Sequence, residues 1–195
     1  MAYSRPLVVA IAGPNGAGKT TAAPRLLRGA LAVSEFVNAD TIAAGLSAFR
    51  PEQAAVAAGR IMLERLHDLA RERETLAFET TLASRSFAPW LRELRTDGYR
   101  VHLTFLSLPS AEMALARVRE RVQLGGHDVP AAVVRRRYAR GLRNFFSIYG
   151  TVADTWQLFD NSNRDEYRLI ASGQSNASAA IIDENGWNTL LEQAR

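Results

Sequence analysis

Cysteine is absent from the 195 residues, and lysine occurs once, at Lys19. Without a thiol there is no disulfide framework, no thiolate zinc site and no cysteine nucleophile; a reducing compartment is allowed. Three histidines leave little for a metal centre. No apolar run approaches the roughly 18 residues of a membrane span, and Leu7 to Ala12, behind Ser4-Arg5-Pro6, is too short for the core of a signal peptide. With 13 glycines and 7 prolines, a collagen-like or low-complexity chain is excluded, and 47% hydrophobic with 23% charged residues is ordinary globular usage. A cytoplasmic protein of one domain over residues 1–195 is expected, without repeat, linker or membrane anchor.

What is abundant is arginine. The other 23 basic residues are all arginine, against 20 acidic ones, for a net charge of +4. An excess this mild favours anionic partners in general, and a phosphorylated small molecule fits it as well as nucleic acid does.

Apolar Leu7-Val8-Val9-Ala10-Ile11-Ala12 reads as a buried strand running into the tight loop Gly13-Pro14-Asn15-Gly16. A helix is expected over 18–28, a strand at 36–38, and an amphipathic helix over 51–73 whose apolar side carries Val56, Ile61, Leu63, Leu66 and Leu69. Strands follow at 75–78, 99–108, 156–159 and 168–171. Helices follow at 87–95, at 110–124 capped by Ser110 with Met113, Leu115 and Val118 inward, at 130–149 behind Pro130, and at 187–194. Ser172 to Ser178 reads as a loop. Strands alternating with helices imply an α/β fold of three layers, with a mostly parallel central sheet flanked by helices, because a parallel crossover needs a long connection.

Gly13-Pro14-Asn15-Gly16-Ala17-Gly18-Lys19-Thr20, followed by Thr21, satisfies G-x-x-x-x-G-K-[ST], and it lies between a strand and a helix. There the free backbone amides and the positive end of the helix dipole favour phosphate. Glycines let the backbone curl around the oxygens, Lys19 reaches the outer phosphates and the Thr20 hydroxyl ligates Mg²⁺. ATP and Mg²⁺ are the expected ligands. The sole lysine falls where a compact ammonium on a flexible stem is needed and guanidinium is not its equivalent.

Phosphoryl transfer also needs a group that orients or deprotonates the nucleophile, and such residues sit at the carboxyl ends of strands. Asp40, after Asn38-Ala39, and Glu79, before Thr80-Thr81, qualify. Asp40 is either a proton acceptor for a substrate hydroxyl or the N-cap of a helix over 41–45; Glu79 is either a ligand of substrate or metal or a solvated strand end. The strong strand over 99–108 ends in Pro109 rather than in the Asp that orders Mg²⁺ in many ATPases. That disfavours a motor or large AAA-type ATPase and favours a small-molecule kinase.

Between 135 and 143 arginine is densest. Val134, Tyr138, Leu142, Phe145 and Tyr149 form one helical stripe for the interior, with Arg136, Arg140 and Arg143 opposite and Arg135 and Arg137 at its flanks. These arginines are either a solvated face or part of a lid over residues 125–150 that closes on ATP behind Gly125-Gly126, aiming guanidinium at the γ-phosphate. His127 is a lid contact or a plain loop residue. A nucleic-acid surface would need Tyr138 and Phe145 as stacking platforms, and the stripe assigns both to the interior.

Together the phosphate loop, Phe36-Val37-Asn38-Ala39-Asp40, Phe78-Glu79-Thr80-Thr81-Leu82, Gly125 to Pro130 with Arg135 to Arg140, and Leu158-Phe159-Asp160-Asn161-Ser162 resemble the zeta toxin family of P-loop kinases, particularly its stand-alone members. The resemblance implies that Lys19 binds phosphate, that Asp40 is the base, and that Asn38, Glu79, Thr80 and Thr81 hold the substrate. It also implies that Arg137 or Arg140 meets the γ-phosphate and that Asn161 lies near adenine. It implies phosphorylation of a hydroxyl of UDP-N-acetylglucosamine and a separately encoded antitoxin as partner. The chain departs from the toxin pattern at Gly125-Gly126-His127-Asp128-Val129-Pro130, where toxins carry a basic residue before the proline. The sequence therefore reads as an ATP-dependent kinase acting on a hydroxyl of a small metabolite. The alternatives are an ATP-switched nucleic-acid-associated protein, or a nucleotide or antibiotic kinase on the same scaffold.

Overall fold

The computed structural model describes residues 5–28, 31, 33–126, 128–164, 166–175 and 177–195. Its centre is β1 (Leu7–Ala12), paired in parallel with β3 (Leu76–Thr80) on one side and β4 (Arg100–Ser107) on the other. β2 (Glu35–Val37) extends the sheet beyond β3, and β5 (Thr155–Asp160) beyond β4, both in parallel. Antiparallel β6 (Arg168–Gln174) and β7 (Ala180–Ile181) complete the order β2-β3-β1-β4-β5-β6-β7. This is the mostly parallel sheet with flanking helices of P-loop proteins.

Val8 to Ala12 are all buried, as a central parallel strand covered on both faces requires. From β1 the chain leaves toward β2 and β3 on one side and β4 on the other, so a crevice opens at the carboxyl ends of β1 and β3. The helices are α1 (Lys19–Arg28), α2 (Ala39–Leu46), α3 (Pro51–Arg71), α4 (Phe87–Thr96), α5 (Ala111–Gln123), α6 (Ala131–Asn144), α7 (Gly150–Val152) and α8 (Glu184–Gln193). A π-helical stretch, Phe145–Tyr149, joins α6 to α7. None of these helices is long and apolar enough to cross a membrane.

Several local expectations shift. The buried positions of α3 are Ala58, Met62, Leu66 and Leu69, while Val56, Ile61 and Leu63 are exposed. Ile61 and Leu63 each sit about 100° around the helix from Met62; choosing the larger aliphatics rotates the stripe off the face that packs. Ser172 to Gln174 belongs to β6 rather than a loop, because the register with β5 runs on through Ser172↔Gln157 and Gln174↔Thr155. In α5, Ser110 caps as expected by accepting from the Met113 amide, but Ala114 joins Leu115 and Val118 in the core and Met113 is only half-buried. The stripe Val134, Tyr138, Leu142, Phe145 and Tyr149 is buried throughout.

Candidate active site

Backbone conformation shapes the phosphate loop. Gly13 has φ +141° and Gly18 has φ +78°, values that L side chains avoid. A Cβ on Gly13 would lie 2.2 Å from the Leu106 carbonyl oxygen, and one on Gly18 would lie 2.8 Å from Asn161 Nδ2. The loop is thus pressed onto β4 behind it and onto the Asn161 side chain, whose Nδ2 donates to the Ala17 carbonyl at 2.7 Å. Gly13, Pro14 and Ala17 are buried behind the loop, while Asn15, Gly16, Gly18, Lys19, Thr20 and Thr21 line a cleft of about 670 Å³.

Glu79, at the end of β3, gathers the first residues of α1. Its Oε2 accepts from Thr20 Oγ1 at 2.7 Å and from Asn38 Nδ2 at 2.7 Å. Its Oε1 lies 3.4 Å from Lys19 Nζ, with only 6% and 11% of the two side chains exposed. Lys19 also donates to the Pro14 carbonyl at 3.0 Å. Glu79 is therefore no solvated strand end. Asn38 does two jobs: while Nδ2 reaches Glu79, Oδ1 accepts from the Asp40 and Thr41 amides and caps α2. The cap is Asn38 and not Asp40, so Asp40 is left in the first turn of α2, exposed on the cleft wall with Thr80 and Thr81.

Across the cleft, Arg137 of α6 is half-buried and its Nη1 donates to Asn15 Oδ1 at 3.4 Å. Arg140, three residues on, is exposed and outside the cleft wall. α6 is anchored near its far end: Asn144 Nδ2 donates to the Leu82 carbonyl at 2.7 Å, and the Tyr149 hydroxyl donates to the Ser84 carbonyl at 2.7 Å. His127 lies outside the described residues.

Sequence reasoning placed Asn161, after β5, beside the nucleotide, and the residue does line the cleft, but it missed the arginines of α5 and Arg164 that build the wall around it. Arg117 donates to the Asn161 and Ser162 carbonyls, both at 2.7 Å, and locks that segment beside the loop. Burial, with Arg164 nearby, lowers the pKa of Arg117. Arg164 hydrogen-bonds Glu120 and holds its carboxyl below the usual range. Arg117, Arg121 and Arg164 with Tyr167 face the cleft. The only sequence signal was the i, i+4 spacing of Arg117 and Arg121, which equally suits a solvated helix face.

Thr20 and Glu79 offer a hydroxyl and a carboxylate within 2.7 Å of each other, hard oxygen donors suited to Mg²⁺ that also binds nucleotide phosphates. Among the described residues no cluster of three His, Cys, Asp or Glu forms an all-protein metal cage.

Comparison with known proteins agrees with this architecture. An uncharacterized protein of Haemophilus influenzae is 30% identical over 128 residues, spanning 65% of this chain and 88% of that protein. A solved AvrRxo1-ORF1:ORF2 complex with ATP contains a chain that superposes with TM-score 0.72 at 18% identity over 96% of this chain. This chain spans only 64% of that one. The PezAT toxin–antitoxin system of Streptococcus pneumoniae gives 0.65 at 15% identity, covering 99% of this chain and 87% of its own. A gluconokinase from Sinorhizobium meliloti gives 0.54 at 14%, covering 97% and 94%. At these identities the likeness is one of fold. A family model described as an AAA domain matches residues 8–145, most of the sheet together with the phosphate loop and Arg137, and the chain belongs to that AAA domain family of P-loop proteins.

Proposed function

We propose that the protein is an ATP-dependent phosphotransferase acting on a hydroxyl of a small metabolite, similar to the zeta toxin kinases. The observation that carries this reading is the convergence of Lys19, Thr20 and Asn38 on the Glu79 carboxylate, with Asp40 and Arg137 in the same cleft. The nucleotide lies along the α5 wall with its phosphates on the loop, and Asn161 stands toward the base. The acceptor lies against the ends of β2 and β3.

In the reaction an oxygen of the acceptor bonds to the γ-phosphorus, the bond to the β–γ bridging oxygen breaks, and the acceptor proton passes to Asp40. Lys19 and the loop amides hold the phosphates, and Arg137 meets charge developing on the transferred group; positioning and electrostatics supply most of the rate. Mg²⁺ held by Thr20, with Glu79 beside it, neutralises phosphate charge when bound. Asn38 and Glu79 orient the acceptor side, with Thr80 and Thr81. The protein acts in the cytoplasm, and the likeness in fold to a chain of the AvrRxo1-ORF1:ORF2 complex and to the PezAT toxin–antitoxin system supports a separately encoded protein as a partner. The nucleic-acid alternative loses its stacking platforms, since Tyr138 and Phe145 are buried.

The test is incubation with γ-labelled ATP, Mg²⁺ and a panel of sugars, UDP-sugars, nucleosides and short RNAs. Asp40→Asn is expected to keep ATP affinity and to lose transfer by about 10²–10⁴-fold. Full transfer by that variant overturns the role of Asp40, and label on RNA ends overturns the substrate class.

A further inference from the structure

The two walls of the cleft carry opposite charge. Toward α5 stand Arg117, Arg121 and Arg164, the last paired with Glu120 on the same wall, with Lys19 and Arg137 at the loop. Toward α2, α3 and α4 stand two carboxylates, Asp40 and Glu79, the hydroxyls of Thr80 and Thr81, and the apolar Met62 and Phe87; among the described residues no arginine or lysine lines this wall. Arg85, next to Ser84, is exposed and outside it.

A wall without basic side chains still binds phosphate if a helix N-terminus opens onto it. Both helices that begin here already spend first-turn amides within the protein. At α2 the Asp40 and Thr41 amides are taken by Asn38 Oδ1, at 2.7 and 3.2 Å, and Asp40 adds a negative charge to that first turn. At α4 the Ser86 amide donates to Ser84 Oγ and the Ala88 amide to the Arg85 carbonyl, each at 3.1 Å. Lys19 is committed to the loop and to Glu79. A diphosphate or carboxylate placed here would face the Asp40 charge with hydroxyl donors but no uncommitted cation to receive it, a juxtaposition that discriminates between ligands. The Thr80 and Thr81 hydroxyls and the exposed Asp40 carboxylate instead match a compound rich in O–H or ammonium donors, while Met62 and Phe87 offer apolar surface to a ring face.

Resting on the phosphotransferase reading above, we infer that the acceptor is a polyhydroxyl compound, a sugar or amino sugar, that carries neither phosphate nor carboxylate. The UDP-amino sugar suggested by the family resemblance is then a poor acceptor.

The experiment measures transfer from γ-labelled ATP to N-acetylglucosamine, glucosamine, sorbitol and kanamycin on one side, and to UDP-N-acetylglucosamine, glucose 6-phosphate and gluconate on the other. ATP binding is followed in parallel by calorimetry. The expected result is transfer to at least one member of the first group, with kcat/KM at least about 100-fold above every member of the second. Ser84→Arg, an exposed position on the rim of this wall, is expected to narrow that ratio by about tenfold by supplying the missing cation. Preferred transfer to an anionic member overturns the inference and leaves the kinase reading standing. ATP binding with transfer to no member of the first group also overturns it. Absence of ATP binding removes the kinase reading itself.

Discussion

The Lys19 ammonium and the Glu79 carboxylate lie 3.4 Å apart in a largely buried setting, so the loop's only lysine is neutralised by the sheet before any phosphate arrives. At this distance and an effective dielectric near 20, the attraction is on the order of several kcal/mol before desolvation offsets part of it. Phosphate therefore competes with Glu79 for Lys19, and Mg²⁺ held by Thr20 and Glu79 would lessen that competition by taking up charge of the carboxylate. Glu79→Gln keeps the side-chain shape and removes this competitor. ATP binding without Mg²⁺ is expected to tighten by about 5- to 10-fold, roughly 1–1.4 kcal/mol. The gain from added Mg²⁺ should shrink, and transfer should fall by about 100-fold. Calorimetry in EDTA and in Mg²⁺ checks both; weaker metal-free binding in the variant would show that Glu79 holds Lys19 in place for phosphate instead of competing with it.

Arg137 and Arg140 are adjacent in the helical sequence pattern but not in surroundings: one is half-buried and bonded to Asn15, the other exposed outside the cleft. Arg137→Ala is expected to lower kcat by about 10²–10³, with little change in the Kd for ATP, as removal of a transition-state donor does. Arg140→Ala should stay within about threefold of wild type, as a solvated arginine does. Steady-state kinetics on both variants decides the matter, and a larger loss for Arg140→Ala would move the transfer role to it.

The features legible in the sequence are those whose physics is local. Strand β1, its glycine loop and the start of α1 are contiguous, so an apolar run, a glycine spacing and one lysine were enough to place them. Glu79 is different. Its importance comes from Thr20, Asn38 and Lys19, which lie 41 to 60 residues away and meet only because β2, β3 and β1 pair side by side. The sequence offered Asp40 as a cap, and the structure gives that role to Asn38, a residue type that caps equally well, so residue type alone does not place the start of α2. Arg117 illustrates the same limit: on α5 it reads as surface charge, and only the return of the chain after β5 turns it into a clamp on Asn161 and Ser162.

Gly141 separates local propensity from tertiary packing. In the middle of α6, alanine is the better helix former by about 1 kcal/mol. A Cβ here would lie 2.4 Å from the Thr81 carbonyl oxygen, so the helix can approach the acceptor wall only as glycine. Gly141→Ala is expected to destabilise by about 1–3 kcal/mol despite the propensity gain. Because the displaced carbonyl belongs to a cleft residue, KM for the acceptor should rise several-fold while ATP affinity is kept. Denaturant unfolding and kinetics measure the two effects; stabilisation would mean that the Thr81 backbone yields without cost.

Tyr149 gives the protein an alkaline limit. It is buried, and burial pushes its hydroxyl pKa up to about 12 from an ordinary value near 10; burial does the same to Tyr138. A raised folded-state pKa means that folding favours the protonated phenol. This contribution is complete below pH 10, where both folded and unfolded tyrosines keep their protons, and is lost as pH rises from 10 through 12. Tyr149→Phe removes the titrating group and the hydrogen bond to the Ser84 carbonyl. The variant should be less stable at pH 8 by about 0.5–1.5 kcal/mol, because the Ser84 carbonyl loses its donor. Its decline between pH 10 and 12 should be shallower than that of wild type, and a double variant with Tyr138→Phe shallower again. Urea unfolding at a series of pH values reads both slopes, and an unchanged alkaline slope in Tyr149→Phe would show that its hydroxyl does not titrate with unfolding.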